Sequence, residues 1–245
     1  MQKDIEPLDI LVLAVHPDDA ELGCAGVIIK HIQKGDRVGI VDLTQGELGT
    51  RGTSQTRKEE ARRASEIMGL TLRENLKMRD GFFSNDETHQ KQIIQVIRKY
   101  RPRVVITNAY TDRHPDHGRA CALVSDAVFL AGLRKVETRE GAELQEAFRP
   151  HLLLHFIQDY YIKPDIVVDI SSVWPEKVKA IQAYTTQFYT ASSSTQEPET
   201  YISKPGFMEV IEGRAREFGK YIQADYGEGF TCKRLLGVED LSVLR

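Results

Sequence analysis

Two short clusters of histidine and aspartate contain the side chains best suited to chemistry in this sequence. The first spans residues 16–21 (HPDDAE) and the second residues 113–117 (RHPDH). Zinc binds imidazole nitrogen and carboxylate oxygen, and a catalytic zinc site has three protein ligands and one further position for water or substrate. Two histidines and one carboxylate would meet that requirement, so the pattern indicates a metal centre that activates water.

The residue types alone leave open which member of each cluster does what. Adjacent residues in an extended turn point in different directions, so one of Asp18 and Asp19 would bind the metal while the other faces its water as a base. In the second cluster one histidine would bind the metal and the other would face the substrate, with Asp116 fixing a ring tautomer. His-Pro-Asp is also good turn chemistry, and it is the pairing of two such clusters that favours a metal site.

The hydrophobic pattern places both clusters at the ends of strands. Residues 9–15 (DILVLAV) and 104–107 (VVIT) are short apolar runs, typical of strands that are buried on both faces of a parallel sheet. Each run is followed by one of the clusters. Ligands of open α/β sheets bind beyond the carboxyl ends of the strands, so we expect the two clusters to meet at one edge of the sheet.

Strands and helices alternate along the rest of the chain. Further strands are predicted at 37–43, 75–78, 152–157 and 166–170, and helices at 25–34, 56–68, 88–100, 118–130, 175–188 and 207–223. This alternation predicts βαβ units with right-handed crossovers. The expected fold is α/β, a Rossmann-like three-layer sandwich with a mainly parallel sheet, in a single domain over residues 1–245. The polar stretch 191–199 is predicted to be a surface loop.

Composition and charge narrow the class of protein. The 245 residues are 41% hydrophobic and 28% charged, with a formal net charge of −3, which lacks the basic surplus of a nucleic-acid-binding chain. The apolar runs are too short to span a bilayer, and residues 1–8 show no signal-peptide pattern. Three widely spaced cysteines without a CxxC pair fit a reducing compartment. We expect a cytoplasmic protein with neither a nucleic-acid nor a membrane partner.

Both clusters resemble the signatures of a known family. AVHPDDAELGCAG (residues 14–26) resembles the AHPDDxE signature of the PIG-L/LmbE family of zinc-dependent N-acetylglucosaminyl deacetylases, and DRHPDH (residues 112–117) is similar to its second element, HPDH. The order of strands, loops and helices agrees with this family over essentially the whole chain. The resemblance implies an LmbE-like fold with the metal on His16, Asp19 and His117.

The same resemblance implies the catalytic roles. Asp18 becomes the general base, and His114 stabilises the tetrahedral oxyanion or protonates the leaving amine, with Asp116 holding it in place. The expected cofactor is Zn²⁺. A site of two histidines and a carboxylate also suits Fe²⁺.

Within the family, the chain is most similar to the branch that deacetylates N-acetylglucosaminyl malate in bacillithiol biosynthesis. This similarity rests on three segments, residues 46–61 (GELGTRGTSQTRKEEA), 77–81 (KMRDG) and 182–188 (QAYTTQF). It implies a small sugar conjugate as substrate. By analogy with relatives, a homo-oligomer, a hexamer, is also expected.

The branch similarity implies four substrate-binding residues. Arg57 would contact the sugar or malate portion, Asp80 would bind a sugar hydroxyl, and Arg113 would contribute from its place beside the metal. Tyr184 stands where some relatives have a histidine, and it is the fourth expected contact.

Two other classes of function compete with amide hydrolysis. A nucleotide-binding protein would suit the first strand and turn, but HPDDAELGCAG lacks the GxGxxG spacing that lets the backbone approach a pyrophosphate. A non-catalytic metal-binding module would be expected to close its site with four ligands. Among deacetylase substrates, a chitooligosaccharide or an inositol conjugate is the alternative to the malate conjugate.

Overall fold

The apolar runs that precede the two clusters form neighbouring central strands of a seven-stranded sheet. The computed structural model describes residues 6–189 and 197–243. Residues 191–196, which make up most of the predicted surface loop, lie outside that part. No helix within the described residues has both the length and the apolar character needed to cross a membrane.

The elements alternate along the chain as the sequence predicts. The strands are β1 (Ile10–Ala14), β2 (Val38–Thr44), β3 (Leu72–Met78), β4 (Val104–Thr107), β5 (Arg139–Glu140), β6 (Glu143–Leu144), β7 (Leu152–Phe156), β8 (Ile166–Asp169) and β9 (Gly227–Thr231). The α-helices are α1 (Asp19–Gln33), α2 (Ser54–Met68), α3 (Glu87–Tyr100), α4 (Pro115–Ala131), α5 (Trp174–Gln182) and α6 (Phe207–Tyr221). In the large sheet the strand order is β3-β2-β1-β4-β7-β9-β8. Its first five strands are mutually parallel, and β9 runs antiparallel to both of its neighbours. The prediction of a mainly parallel α/β sheet is confirmed.

Helices cover both faces of this sheet. Along β1, Val12 and Ala14 pack into the core shared with α1, α2 and α5. Leu11 and Leu13, which alternate with them, pack into the core shared with α3 and α4. Because a strand covered on both sides has no solvent-facing position, β1 is apolar throughout. The expected three-layer arrangement follows.

Several boundaries differ from those that the sequence predicts, and the strands β5, β6 and β9 are additional to the predicted ones. The helix predicted from residue 25 begins at Asp19 and is kinked at Cys24, whose backbone φ is −149°. The helix predicted to reach residue 188 ends at Gln182. Strand β9 was not predicted, because GEGFT has no apolar alternation. A Cβ at Gly229 would lie 2.8 Å from the Phe218 ring, so glycine lets α6 pack closely against this strand.

A buried ion pair supports the kink in α1. The two carboxylate oxygens of Glu228, on β9, accept hydrogen bonds from the backbone N–H groups of Gly26 (2.8 Å) and Val27 (2.7 Å), which follow the kink. A carboxylate at a helix N-terminus satisfies otherwise unpaired N–H groups. Lys177, on α5, donates to the same carboxylate at 2.7 Å and to the carbonyl of Leu22, before the kink, at 2.9 Å. The short first segment of α1 is thereby fixed at its far end.

Replacing Lys177 with methionine should destabilise the protein strongly. The variant Lys177→Met keeps the volume but leaves a buried carboxylate without its cation, which typically costs about 3–5 kcal/mol of unfolding free energy. Urea denaturation followed by circular dichroism measures the difference. Lys91→Met is the matched control, because Lys91 pairs with Glu87 on an exposed helix face, and its cost is expected to stay below about 1 kcal/mol. Equal losses in both variants would contradict this account of the kink.

Candidate active site

The two sequence clusters meet in a cavity of about 460 Å³ at the carboxyl edge of the sheet. The loops that follow β1, β2, β3, β4 and β7 each contribute side chains to its wall, among them His16, Arg51, Asp80, Arg113 and Gln158. This is the edge at which open α/β sheets bind ligands. The expectation drawn from hydrophobic pattern, that both clusters share one site, is confirmed.

Three imidazole rings converge at the base of this cavity. Each of His16, His114 and His117 offers a nitrogen within 4.8 Å of the other two, which makes the group a candidate metal site. The carboxylate of Asp19 lies against two of these rings. Its Oδ1 is 3.2 Å from Nε2 of His117 and its Oδ2 is 3.5 Å from Nδ1 of His16.

The outward nitrogens of these two rings are held by acidic side chains. Nε2 of His16 lies 2.9 Å from Oδ1 of Asp80, and Nδ1 of His117 lies 2.7 Å from Oδ2 of Asp112. This leaves one nitrogen of each ring facing Asp19. Metal-binding histidines commonly have their second nitrogen on a carboxylate, which fixes the ring and raises its basicity. His16, Asp19 and His117 therefore fit a divalent metal ion as a set.

The charges around these rings favour a cation. Burial opposes a charge on His16, but hydrogen bonds to Asp19 and Asp80 outweigh it and raise the pKa of His16 to about 9. Burial also opposes a charge on His117, and Asp19 and Asp112 raise its pKa to about 10. Surroundings that hold a proton on each ring also stabilise a divalent ion that displaces it.

His114 is in a different protonation state from His16 and His117. Its Nδ1 accepts a hydrogen bond from the backbone N–H of Asp116 at 3.3 Å. Burial, and then the positive charges of His16 and His117, lower its pKa, so the ring is neutral at pH 7 with its hydrogen on Nε2. A protonated Nε2 donates a hydrogen bond and does not bind metal. The geometry thus distinguishes His114 from His16 and His117.

Asp116 contacts His114 in a way that differs from the expectation. We expected its carboxylate to hold the imidazole, but the contact is made by its backbone N–H. The carboxylate accepts hydrogen bonds from the backbone N–H of Gly81 at 2.8 Å and from Arg119 at 2.5 Å. The reason is local, since Asp116 lies in the first turn of α4 and its side chain points to the loop after β3. It joins that loop to the helix that carries His117.

Asp18 is buried beside the ligand set in a strained backbone conformation. Its φ is 132°, a region that non-glycine residues rarely occupy and that occurs mostly at functional sites. Nη2 of Arg57 donates to Oδ2 of Asp18 at 2.6 Å and to the carbonyl of Pro17 at 3.0 Å. Burial raises the pKa of Asp18 to about 7, although Arg57 opposes the shift. A carboxyl group with a pKa near neutrality can both accept and release a proton.

Two of the expected substrate contacts are engaged with neighbouring protein groups instead. Arg57 is 5% exposed, and its guanidinium fills the space where a Cβ at Gly46 would lie, 2.1 Å from Nη1. Asp80 has Oδ1 on His16 and Oδ2 on the backbone N–H of Leu48 at 3.0 Å. Both residues line the cavity, but their geometry is that of residues that position Asp18 and His16.

The other two expected substrate contacts, Tyr184 and Arg113, differ in whether they can be reached from the cavity. Tyr184 is fully buried, and its hydroxyl donates to Oε1 of Glu21 at 3.0 Å, so the expectation that it touches substrate is wrong. It lies just past α5, which packs against α1 and α2. Arg113 lies in the cavity wall with 44% of its side chain exposed, 2.8 Å from Asp159 and stacked 4.6 Å from the ring of Tyr201.

Three residues of the site were not identified from the sequence. Asp112 holds His117, while the side-chain amides of Asn108 and Gln158 donate to the two oxygens of Asp19, at 3.2 Å and 2.7 Å. All three follow β4 or β7 closely. Their position just beyond a strand end is the signal that could have identified them, because the two histidine-containing clusters lie in the same kind of position.

Comparison with known proteins places this geometry in a family. The profile of the PIG-L family, GlcNAc-PI de-N-acetylase, matches residues 11–128. A diacetylchitobiose deacetylase of Thermococcus kodakarensis is 32% identical over 189 residues, which cover 73% of this chain and 70% of the relative. A 4-oxalmesaconate hydratase of Pseudomonas putida is 29% identical over 70% of this chain and 71% of its own.

Two further similarities extend over more of the chain. A probable N-acetyl-alpha-D-glucosaminyl L-malate deacetylase 2 of Bacillus anthracis is 26% identical over 226 residues, or 85% of this chain and 92% of the relative. The crystal structure of a conserved protein from Thermus thermophilus, TT1542, superposes with a TM-score of 0.83 at 36% identity, covering 95% of this chain and 98% of that one. The family profile covers both sequence clusters, and the identity to the Thermococcus enzyme extends beyond them. This chain belongs to the PIG-L family of de-N-acetylases.

Proposed function

We propose that the protein is a zinc-dependent hydrolase that removes the N-acetyl group from an N-acetylglucosaminyl conjugate. The observation that carries this proposal is the buried carboxyl group of Asp18, on a strained backbone, beside the group formed by His16, Asp19 and His117 at the base of an open cavity. Three ligands with a separate base are the arrangement of a catalytic metal site.

The metal-binding side chains restrict the kinds of ion that the site would hold. Two imidazoles and a carboxylate suit Zn²⁺ and also Fe²⁺, and we propose zinc on His16, Asp19 and His117. When bound, such an ion polarises the acetyl carbonyl and lowers the pKa of water from 15.7 to about 7.

The residues of the chain itself account for the proton transfers. Asp18, held by Arg57, accepts a proton from the water that attacks the acetyl carbon. His114 donates a hydrogen bond from Nε2 to the carbonyl oxygen as negative charge develops there. As the C–N bond breaks, the amine nitrogen takes the proton that Asp18 accepted from the water, because a neutral His114 has only a hydrogen bond to offer. The products are acetate and the free amino sugar.

We propose N-acetylglucosaminyl malate as the substrate. The Bacillus anthracis relative covers most of the chain, and Arg113 supplies an exposed guanidinium at the cavity wall, which would suit the carboxylates of malate. N,N′-diacetylchitobiose is the second candidate. It is favoured by the Thermococcus relative and by the exposed rings of Phe82 and Tyr201, on which a sugar could stack.

Acetate release is the direct test of the proposed function. Purified protein would be given N-acetylglucosaminyl malate, N,N′-diacetylchitobiose or N-acetylglucosamine, before and after chelation and after zinc is restored. We expect the malate conjugate to be deacetylated fastest, with activity lost on chelation and recovered with zinc. Asp18→Asn is the matched control. It should retain bound metal and lose at least about a hundredfold in kcat, because the base is removed.

The outcomes separate the parts of the proposal. Faster acetate release from N,N′-diacetylchitobiose would support the deacetylase function, and that sugar would replace the malate conjugate as the proposed substrate. Release that persists in fully metal-free protein would overturn the metal requirement. No release from any of the three would remove the function. Hydration of 4-oxalmesaconate would then indicate the activity named for the Pseudomonas relative.

Replacing Asp80 with asparagine should weaken metal binding. The variant Asp80→Asn keeps the size of the side chain but removes the negatively charged carboxylate that lies against Nε2 of His16. Loss of such a partner typically costs 10- to 100-fold in metal affinity. Competition with a chromophoric chelator measures the Kd. Asp36→Asn is the control, because Asp36 pairs with His31 away from the site. If the Kd for zinc were unchanged and KM alone rose, Asp80 would be a sugar contact after all.

Replacing Arg57 should impair turnover more than substrate binding. In Arg57→Met, Asp18 loses its hydrogen bond, and a charged bond of this kind is worth roughly ten- to a hundredfold. We expect kcat to fall by that factor with little change in KM. Arg63→Met is the control, since Arg63 lies on the same helix with a 56% exposed side chain. A rise in KM with kcat unchanged would instead make Arg57 a substrate contact.

A further inference from the structure

Gln158 has one hydrogen-bonding group in use and one left over. Its Nε2 donates to Oδ1 of Asp19 at 2.7 Å. Its Oε1 is buried and accepts no hydrogen bond from the described residues. The side chain as a whole is 8% exposed. A buried acceptor without a donor costs about 1–3 kcal/mol, so such a group in a native site calls for a ligand.

The orientation of this amide is fixed by charge. The two ends of a glutamine amide look alike in shape, but a carboxylate accepts hydrogen bonds and does not donate them. The NH₂ group of Gln158 must therefore face Asp19, and the carbonyl oxygen must point away from it. Exchanging the two ends would place two acceptors against each other.

The unsatisfied oxygen belongs to a side chain at the place where the reaction occurs. Gln158 lines the main cavity and also an adjoining enclosed cavity of about 20 Å³, and His114 and His117 line both. Among the cavity-lining side chains that are described, Arg57 also has a buried polar atom without a partner, its Nε. That atom is a donor on a group already engaged with Asp18. Gln158 alone of the two offers an acceptor.

Resting on the function proposed above, we infer that Gln158 Oε1 accepts a hydrogen bond from the N–H of the substrate's acetamido group. The scissile amide has one N–H, and when its carbonyl faces the proposed metal ligands and His114, that N–H loses its water as the substrate binds and needs an acceptor. Holding the N–H also fixes the plane of the amide. The lone pair that forms on nitrogen as the carbon becomes tetrahedral is then free to take a proton. Gln158 is thus a residue that selects an amide over an ester.

Asn108 provides a matched comparison within the same site. Its Nδ2 donates to the other oxygen of Asp19 at 3.2 Å, as Gln158 does to the first. Its carbonyl oxygen, however, already accepts from the backbone N–H of Val15 at 3.1 Å. The two amides therefore support Asp19 in the same way, and they differ in whether an acceptor remains for substrate.

An ester analogue of the substrate tests the inference. In the 2-O-acetyl conjugate an oxygen replaces the amide N–H, so nothing remains for Gln158 to accept. Gln158→Met should lower kcat/KM for the N-acetyl substrate roughly ten- to a hundredfold more than for the O-acetyl analogue. Asn108→Leu should lower both to the same extent. Metal content is measured for each variant, so that weaker zinc binding is scored separately.

Binding without turnover gives a second measurement. In an Asp18→Asn background, calorimetry should show that Gln158→Met weakens the N-acetyl ligand about tenfold or more and the O-acetyl ligand little. If Gln158→Met loses both ligands or both activities equally, Gln158 only positions Asp19 and the inference is overturned. The same follows if neither changes. Should Gln158→Met not fold, Gln158→Asn, which shortens the side chain by one methylene and so moves the carbonyl oxygen, decides the question. A wild-type protein that hydrolyses neither substrate refutes the proposed function itself.

Discussion

The site depends on the burial of three carboxylates within one turn after β1. Asp18, Asp19 and Glu21 are all nearly inaccessible to solvent, and a buried charge is tolerated only when it is paired. Each takes its positive partner from a different element. Arg57 comes from α2, the imidazole of His117 from α4 and Arg73 from β3. Neutralising this one turn therefore ties together elements from both layers and from the edge of the sheet.

The same requirement explains why so few residues near the metal ligands are free to touch substrate. The carboxylate oxygens of three aspartates already accept hydrogen bonds from a histidine, a backbone N–H or an arginine. These residues are Asp80, Asp112 and Asp116. Arg113, by contrast, keeps 44% of its side chain exposed in the cavity wall.

The local sequence pattern was sufficient to predict the strands that are buried on both faces along their whole length. The central strands are apolar throughout because both faces are covered, and the histidine clusters follow them directly, so the edge that holds the site could be predicted. Strand β9 could not, because its glycines are set by the close approach of Phe218. The pairing of His16 with Asp80, and of Asp19 with Gln158, joins residues distant in the chain, and no local periodicity records such contacts. The assignment of Tyr184 failed for the same reason, since its partner Glu21 belongs to another helix.

The carboxylate that supports the kink of α1 has a consequence for the order in which the molecule is assembled. Glu228 and the helix it caps are separated by 202 residues along the chain. The histidine and aspartates of the first motif therefore leave the ribosome about 200 residues before the strand that locks their helix. Contacts of such long sequence separation form late in folding. A nascent chain therefore carries the residues of the first cluster long before it can hold them in the arrangement of the folded site, which postpones completion of the site until the sheet is closed.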